Sequence, residues 1–221
     1  MTRQAPTLFA AALTLLGIFS PLQAATLKFV PCNDEIAARE LSVRDSKGPT
    51  TLKELSALRR SKSYTVATGK TPLQLIATDR DGAAVTIVLP ADIKSPLVLI
   101  LADSENPSGL RTLVVEDSAA GFPWGSLHFI NLTQGPLTVR YEKQTLALPE
   151  GDAPVQILPE GDARNAGVQI FKEDAPDAIL YSAVWEHDPN LRKLVLVVPD
   201  TNPELKTFEL KIIPEDRRTA K

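Results

Sequence analysis

The chain has little of the chemistry that most small exported enzymes and metal carriers rely on. It holds one cysteine, one methionine and two histidines in 221 residues. Cys32 has no partner in the chain, so no internal disulfide can staple the fold and stability must come from burial. The thiol is expected to be buried as a small hydrophobe; the alternative is pairing between chains. A copper site of the cupredoxin type needs Cys, two His and usually an axial Met. The only methionine is the initiator, and Cys32 has no histidine near it in sequence, so that class is excluded. Aromatics make up 5% of residues, too few to favour a sugar-stacking platform. Long apolar runs are absent after the first 25 residues.

Those first residues are of another kind. Arg3 gives a positive start, "PTLFAAALTLLGIFS" is an apolar core, and "PLQAA" ends in small residues. This is the pattern of a signal peptide over 1–25, with cleavage after Ala24 or Ala25. A membrane anchor would need ~20 apolar residues, and Pro6, Pro21 and the small-residue end argue against one. Without Arg3 the mature chain carries 23 basic and 27 acidic residues, a net charge of −4. That balance disfavours nucleic acid as a partner. The expected location is periplasmic or secreted, with no membrane span after cleavage.

What the chain does have is short strands. Apolar runs of four to seven residues, rich in Val, Ile, Leu and Thr, alternate with turn clusters drawn from 11 Gly and 18 Pro. This pattern predicts an all-β sandwich. Strands are expected at 27–31, 40–44, 63–67, 73–78, 84–89, 96–102 and 110–116. A second set is expected at 127–132, 137–142, 144–148, 154–158, 168–172, 179–185, 193–198 and 205–213. Residues 35–39 and 52–60 are the two helix candidates, the second from Leu52, Leu55 and Leu58.

The two sets repeat each other. "LKFVPCN" at Leu27 matches "LHFINLT" at Leu127, and "LSVR" at Leu41 matches "LTVR" at Leu137. "LQLI" at Leu73 matches "VQIF" at Val168, "LVLILADS" at Leu97 matches "LVLVVPDT" at Leu194, and "LRTL" at Leu110 matches "LKTF" at Leu205. Five matches in order, offset by 95 to 100 residues, point to an internal duplication of one domain. The expected fold is therefore two tandem immunoglobulin-like β-sandwich domains, at 26–118 and 124–216. A short linker, 119–123, joins them and a tail, 217–221, follows. "LVLIL" and "LVLVV" are apolar on both faces and should be central strands. "TFELKI" alternates, so Glu209 and Lys211 should face water.

Motifs that could carry chemistry read more simply as structure. The doubled "PEGDA" at Pro149 and Pro159 and "DRDG" at Asp79 suggest calcium ligands, but they lack a complete loop and fit turns. His128 should point away from the core on a strand, and His187 should lie in a loop. No nucleophile elbow or Cys/His pair is present. "NLT" at Asn131 matches a glycosylation sequon and equally starts a turn. The candidate interaction or domain-junction residues are Phe122, Trp124 and Trp185. Phe122 and Trp124 lie at the linker. Trp185, beside Glu186 and His187, is the best sugar-stacking candidate, with core burial the competing role. No catalytic residue, cofactor or metal is expected.

The segment "GSLHFINLTQGPLTVRYEKQTLALPEGD" resembles uncharacterised small secreted bacterial β-sandwich proteins with similar "GS…NLT…L.PG" stretches. The resemblance implies export and the sandwich fold, and brings no activity or site residues. The expected function is that of an exported, non-enzymatic protein that binds or organises another cell-envelope component, either an envelope protein or a cell-wall component. Alternatives are a periplasmic chaperone acting by edge-strand pairing, a carbohydrate-binding module, and an enzyme with a site between the domains.

Overall fold

The structure is a computed structural model that describes residues 23–69, 71–200 and 208–220. The segment expected to be a signal peptide, 1–25, therefore lies outside the described residues, apart from Gln23–Ala25 at the start of the first strand. The fold is all-β. Its strands in chain order are β1 (Gln23–Pro31), β2 (Leu41–Asp45), β3 (Gly48–Thr51), β4 (Tyr64–Thr68), β5 (Leu73–Ala77), β6 (Ala83–Ile87), β7 (Pro96–Ala102) and β8 (Leu110–Glu116). The second series is β9 (Leu127–Asn131), β10 (Leu137–Tyr141), β11 (Gln144–Leu148), β12 (Val155–Ile157), β13 (Arg164–Lys172), β14 (Ala175–His187), β15 (Leu191–Pro199) and β16 (Phe208–Asp216).

These strands form four four-stranded sheets, β4-β1-β7-β8, β3-β2-β5-β6, β12-β9-β15-β16 and β11-β10-β13-β14. Adding eight to each strand number of the first two sheets gives the last two. Register repeats as well. Lys28 pairs in parallel with Leu97, as His128 does with Leu194. Val43 pairs with Leu75, as Val139 does with Ile170. These are the offsets of 95, 96, 97 and 100 read from the chain. The fifth match needs correction. Leu205 lies outside the described residues, and register makes Leu110, opposite Ala102, equivalent to Phe208, opposite Pro199, an offset of 98. An immunoglobulin constant domain orders its strands A-B-E-D against C-F-G. Here the first strand pairs with the fourth and seventh, so only the proportions are immunoglobulin-like.

Side chains alternate along a strand, which separates the two faces of the central sheets. On β1 and β7, Leu27, Phe29, Val98 and Ile100 turn toward the sheet of β2 and β5. Val30, Leu97, Leu99 and Leu101 turn the other way and are just as buried. They join Ile130, Leu194, Leu196 and Ile213 of the second series in one continuous hydrophobic cluster. Val195, Val197, Leu127 and Phe129 face outward from that layer into a second cluster with Val139, Val168 and Ile170. The four sheets thus stack as four layers, with the two duplicated halves packed through the same sheet face of each. This accounts for two runs that are apolar on both sides.

Three local expectations change. Asp34–Ala37 forms one helical turn, α1, capped by Asn33 Oδ1, which accepts from Ile36 N at 2.8 Å. Residues 52–60 are not helical. They carry the chain from the outer sheet to the inner one, with Glu54 at φ 57 and an isolated bridge between Ser56 and Arg59. Leu52 is buried there while Leu58 is exposed. Glu209 and Lys211 do not face open water. Their side of β16 is turned to the first half and is half-buried.

Candidate functional site

At one end of the shared face the halves are clasped by charge. Asp117 and Glu215 are equivalent under the offset of 98, since Glu116 and Pro214 sit opposite Pro96 and Lys193. Arg60 reaches Asp117 at 2.8 Å and Glu215 at 3.5 Å, and Arg192 bridges to both carboxylates. Lys28 adds a contact to Glu215 at 3.8 Å. The two arginines and Asp117 are each about 5% exposed, so the pairs are barely screened.

Phe122 and Trp124 belong to this clasp. Phe122 is 1% exposed and stacks on His128, with ring centroids 4.0 Å apart. The Arg192 guanidinium lies 4.9 Å from the Phe122 ring and 4.7 Å from the Trp124 ring, and its Nη1 donates to Phe122 O. His128 points away from the sandwich core, as its alternation requires, yet is buried beneath the linker. Its Nε2 donates to Gln156 Oε1 at 3.0 Å. Burial, with Arg192 nearby, pushes this imidazole below its ordinary value.

Trp185 is elsewhere, in the outer core of the second half. It is 8% exposed, parallel to Phe129, and its Nε1 donates to Tyr181 Oη at 2.9 Å. Neither ring face is presented as a sugar platform. His187 ends β14 instead of lying in a loop, and is buried beside Gly161 O. Asn131 is fully engaged at its strand end. Its Nδ2 donates to Gly135 O and Leu148 O, and its Oδ1 accepts from Thr133. In the "PEGD" turns, Gly151 and Gly161 adopt φ of 118° and 89°, the left-handed region that glycine reaches without strain. Asp79 is held by Arg39 at 2.8 Å. No group of three or more His, Cys, Asp or Glu side chains suited to a metal ion occurs among the described residues.

At the other end of the shared face the two central sheets part to leave a cleft of about 310 Å³. Its lining comes in equivalent pairs, Cys32 with Leu132, Leu101 with Val198 and Arg111 with Glu209, completed by Lys211. The cleft therefore sits on the pseudo-twofold axis that relates the copies. Its floor is apolar. Arg111 bridges to Asp152 at 3.1 Å, and Lys211 to Glu209 at 2.8 Å. Burial pushes the Cys32 thiol above its ordinary value, opposed in part by Lys211 and Arg111. No histidine lines the cleft. Sequence reasoning missed this site because its walls come from β7, β8, β15 and β16 and from the chain just past β1 and β9, spread over nearly the whole chain. The one usable signal was the duplication itself, which makes a pocket at the axis between copies a natural place to look.

Compared with known proteins, the chain matches no family model and no curated protein.

Proposed function

We propose that this is an exported, non-enzymatic binding protein of the cell envelope. Its ligand is a small amphipathic molecule with an apolar body and an anionic group, held in the cleft between the halves. The carrying observation is the cleft itself, apolar in its floor and lined by equivalent positions of both copies. Its volume is at the lower end of ligand pockets, which run from ~300 to ~1,000 Å³ and favour domain interfaces. Two cations line it, Arg111 and Lys211, each on a partly exposed pair with a carboxylate, Asp152 and Glu209. An anionic head group would bind by exchanging with the carboxylate of one of these solvated pairs, which are weakly held. With no histidine beside it and its thiol held protonated by burial, Cys32 contributes apolar surface and no nucleophile.

Straight-chain monocarboxylates of rising length test this, with alkylammonium ions as the control of opposite sign. Calorimetry should show saturable binding of the carboxylates, and bound ligand should slow the reaction of Cys32 with a small thiol reagent. Leu101→Trp, which fills the cleft, should abolish binding. Lys211→Ala should weaken it by roughly tenfold or more, the scale of a lost charge-assisted hydrogen bond. Equal binding of both signs, or none by the folded protein, overturns the reading.

A further inference from the structure

The two copies differ most at one sheet edge. In the first half β6 is five residues long, and its open side is covered by β8, where Thr112 Oγ1 donates to Thr86 O at 3.0 Å. The equivalent β14 is thirteen residues long. Among the described residues no hydrogen bond joins it to β16, and as a strand it pairs only with β13, although Lys193 Nζ of β15 donates to Glu186 O near its end. Of the six large exposed hydrophobics among the described residues, three, Ile179, Leu180 and Val184, lie on this strand. Val184 is 69% exposed, and its partner across the sheet is Gly167, where an added Cβ would meet nothing within 4 Å. A long, apolar, unpaired edge is an association site unless something covers it.

We infer that β14 pairs antiparallel with β14 of a second copy of this chain, giving a closed twofold dimer. The β13–β14 register slips near Ile179, and from Tyr181 to His187 it is regular. A twofold axis through Val184 keeps the new pairing within that regular segment. It sets Val184 against Val184 of the partner subunit, a β-branched cross-strand pair. It also sets Ser182 against the partner's Glu186, hydroxyl to carboxylate, brings no like charges together, and requires the Lys193 ammonium to swing from Glu186 O into solvent. Both free edges are consumed, so growth stops at two chains. This inference is independent of the cleft, which lies in another layer.

Sedimentation equilibrium of the purified mature chain over a wide concentration range is the test. A dimer is expected. Val184→Lys would place two ammonium groups opposite each other and should give a monomer that still unfolds cooperatively, with a midpoint that no longer depends on protein concentration. Val184→Cys should crosslink to itself on oxidation, while Ser182→Cys should not, since it faces a different residue. A wild-type monomer throughout overturns the inference, as does a dimer that Val184→Lys leaves intact. A monomer whose β14 amides become protected only by an added extended peptide also overturns self-pairing, and assigns the edge to a foreign strand.

Discussion

His128 is buried among Phe122, Gln156 and Arg192, with Arg60 and Asp117 close by, and its folded value is depressed by that burial. The unfolded chain therefore binds the proton more readily. Its contribution to stability is complete above about pH 6.5, the ordinary histidine value. It is lost as the pH falls from there through the depressed folded value. Denaturant unfolding at a series of pH values should show this fall, and His128→Gln should flatten it whatever its effect at neutral pH. An unchanged slope in the variant would place the proton uptake elsewhere. Asp117 makes the complementary case. Replacing it with Ala leaves Arg60 and Arg192 to share Glu215 alone, one buried positive charge uncompensated in a site about 5% exposed, and should cost about 3–5 kcal/mol. A loss under about 1 kcal/mol, the scale of a surface pair, would mean the clasp is solvated.

Among the elements, β7 and β15 carry most of the stacking. Leu99 and Leu196 are each fully buried in the layer between the halves. Leu99→Ala or Leu196→Ala should each destabilise by about 2–5 kcal/mol, measured by chemical denaturation. These strands were the most legible part of the sequence, because residues apolar on both faces can only be strands covered on both sides. Most other strands were readable to within a few residues from alternation and turn signals. β3 was not, since Gly48 and Pro49 disguise an edge strand that is mostly exposed. Residues 52–60 misled in the opposite direction. Three leucines at helical spacing were enough to suggest a helix, yet Leu58 is 63% exposed and the segment serves as a crossing between layers. The fifth repeat match slipped by three residues because "LRTL" and "LKTF" are alike in composition while the pairing follows β7 and β15. Phe122 and Trp124 were legible as linker aromatics. Their partners Arg60, Arg192 and Glu215 were not, because charged residues are common and burial at a shared face leaves no local mark.

At the scale of the molecule, the two halves share one hydrophobic cluster. Separating them would expose Leu97, Leu99, Leu194 and Leu196 together and break the Arg60–Asp117–Arg192–Glu215 clasp. A tandem sandwich joined by a short linker alone would let each domain unfold by itself. Four stacked layers tie their stabilities together, and a cleft on the axis between copies can keep its shape only if they are tied. Scanning calorimetry of the purified chain measures this most directly. One transition is expected, with calorimetric and van't Hoff enthalpies equal for the whole chain. Leu99→Ala, in the first half, should lower the midpoint of that single transition without splitting it. Two separable transitions, one for each half and only one of them shifted by Leu99→Ala, would contradict the four-layer stack and the cleft that depends on it.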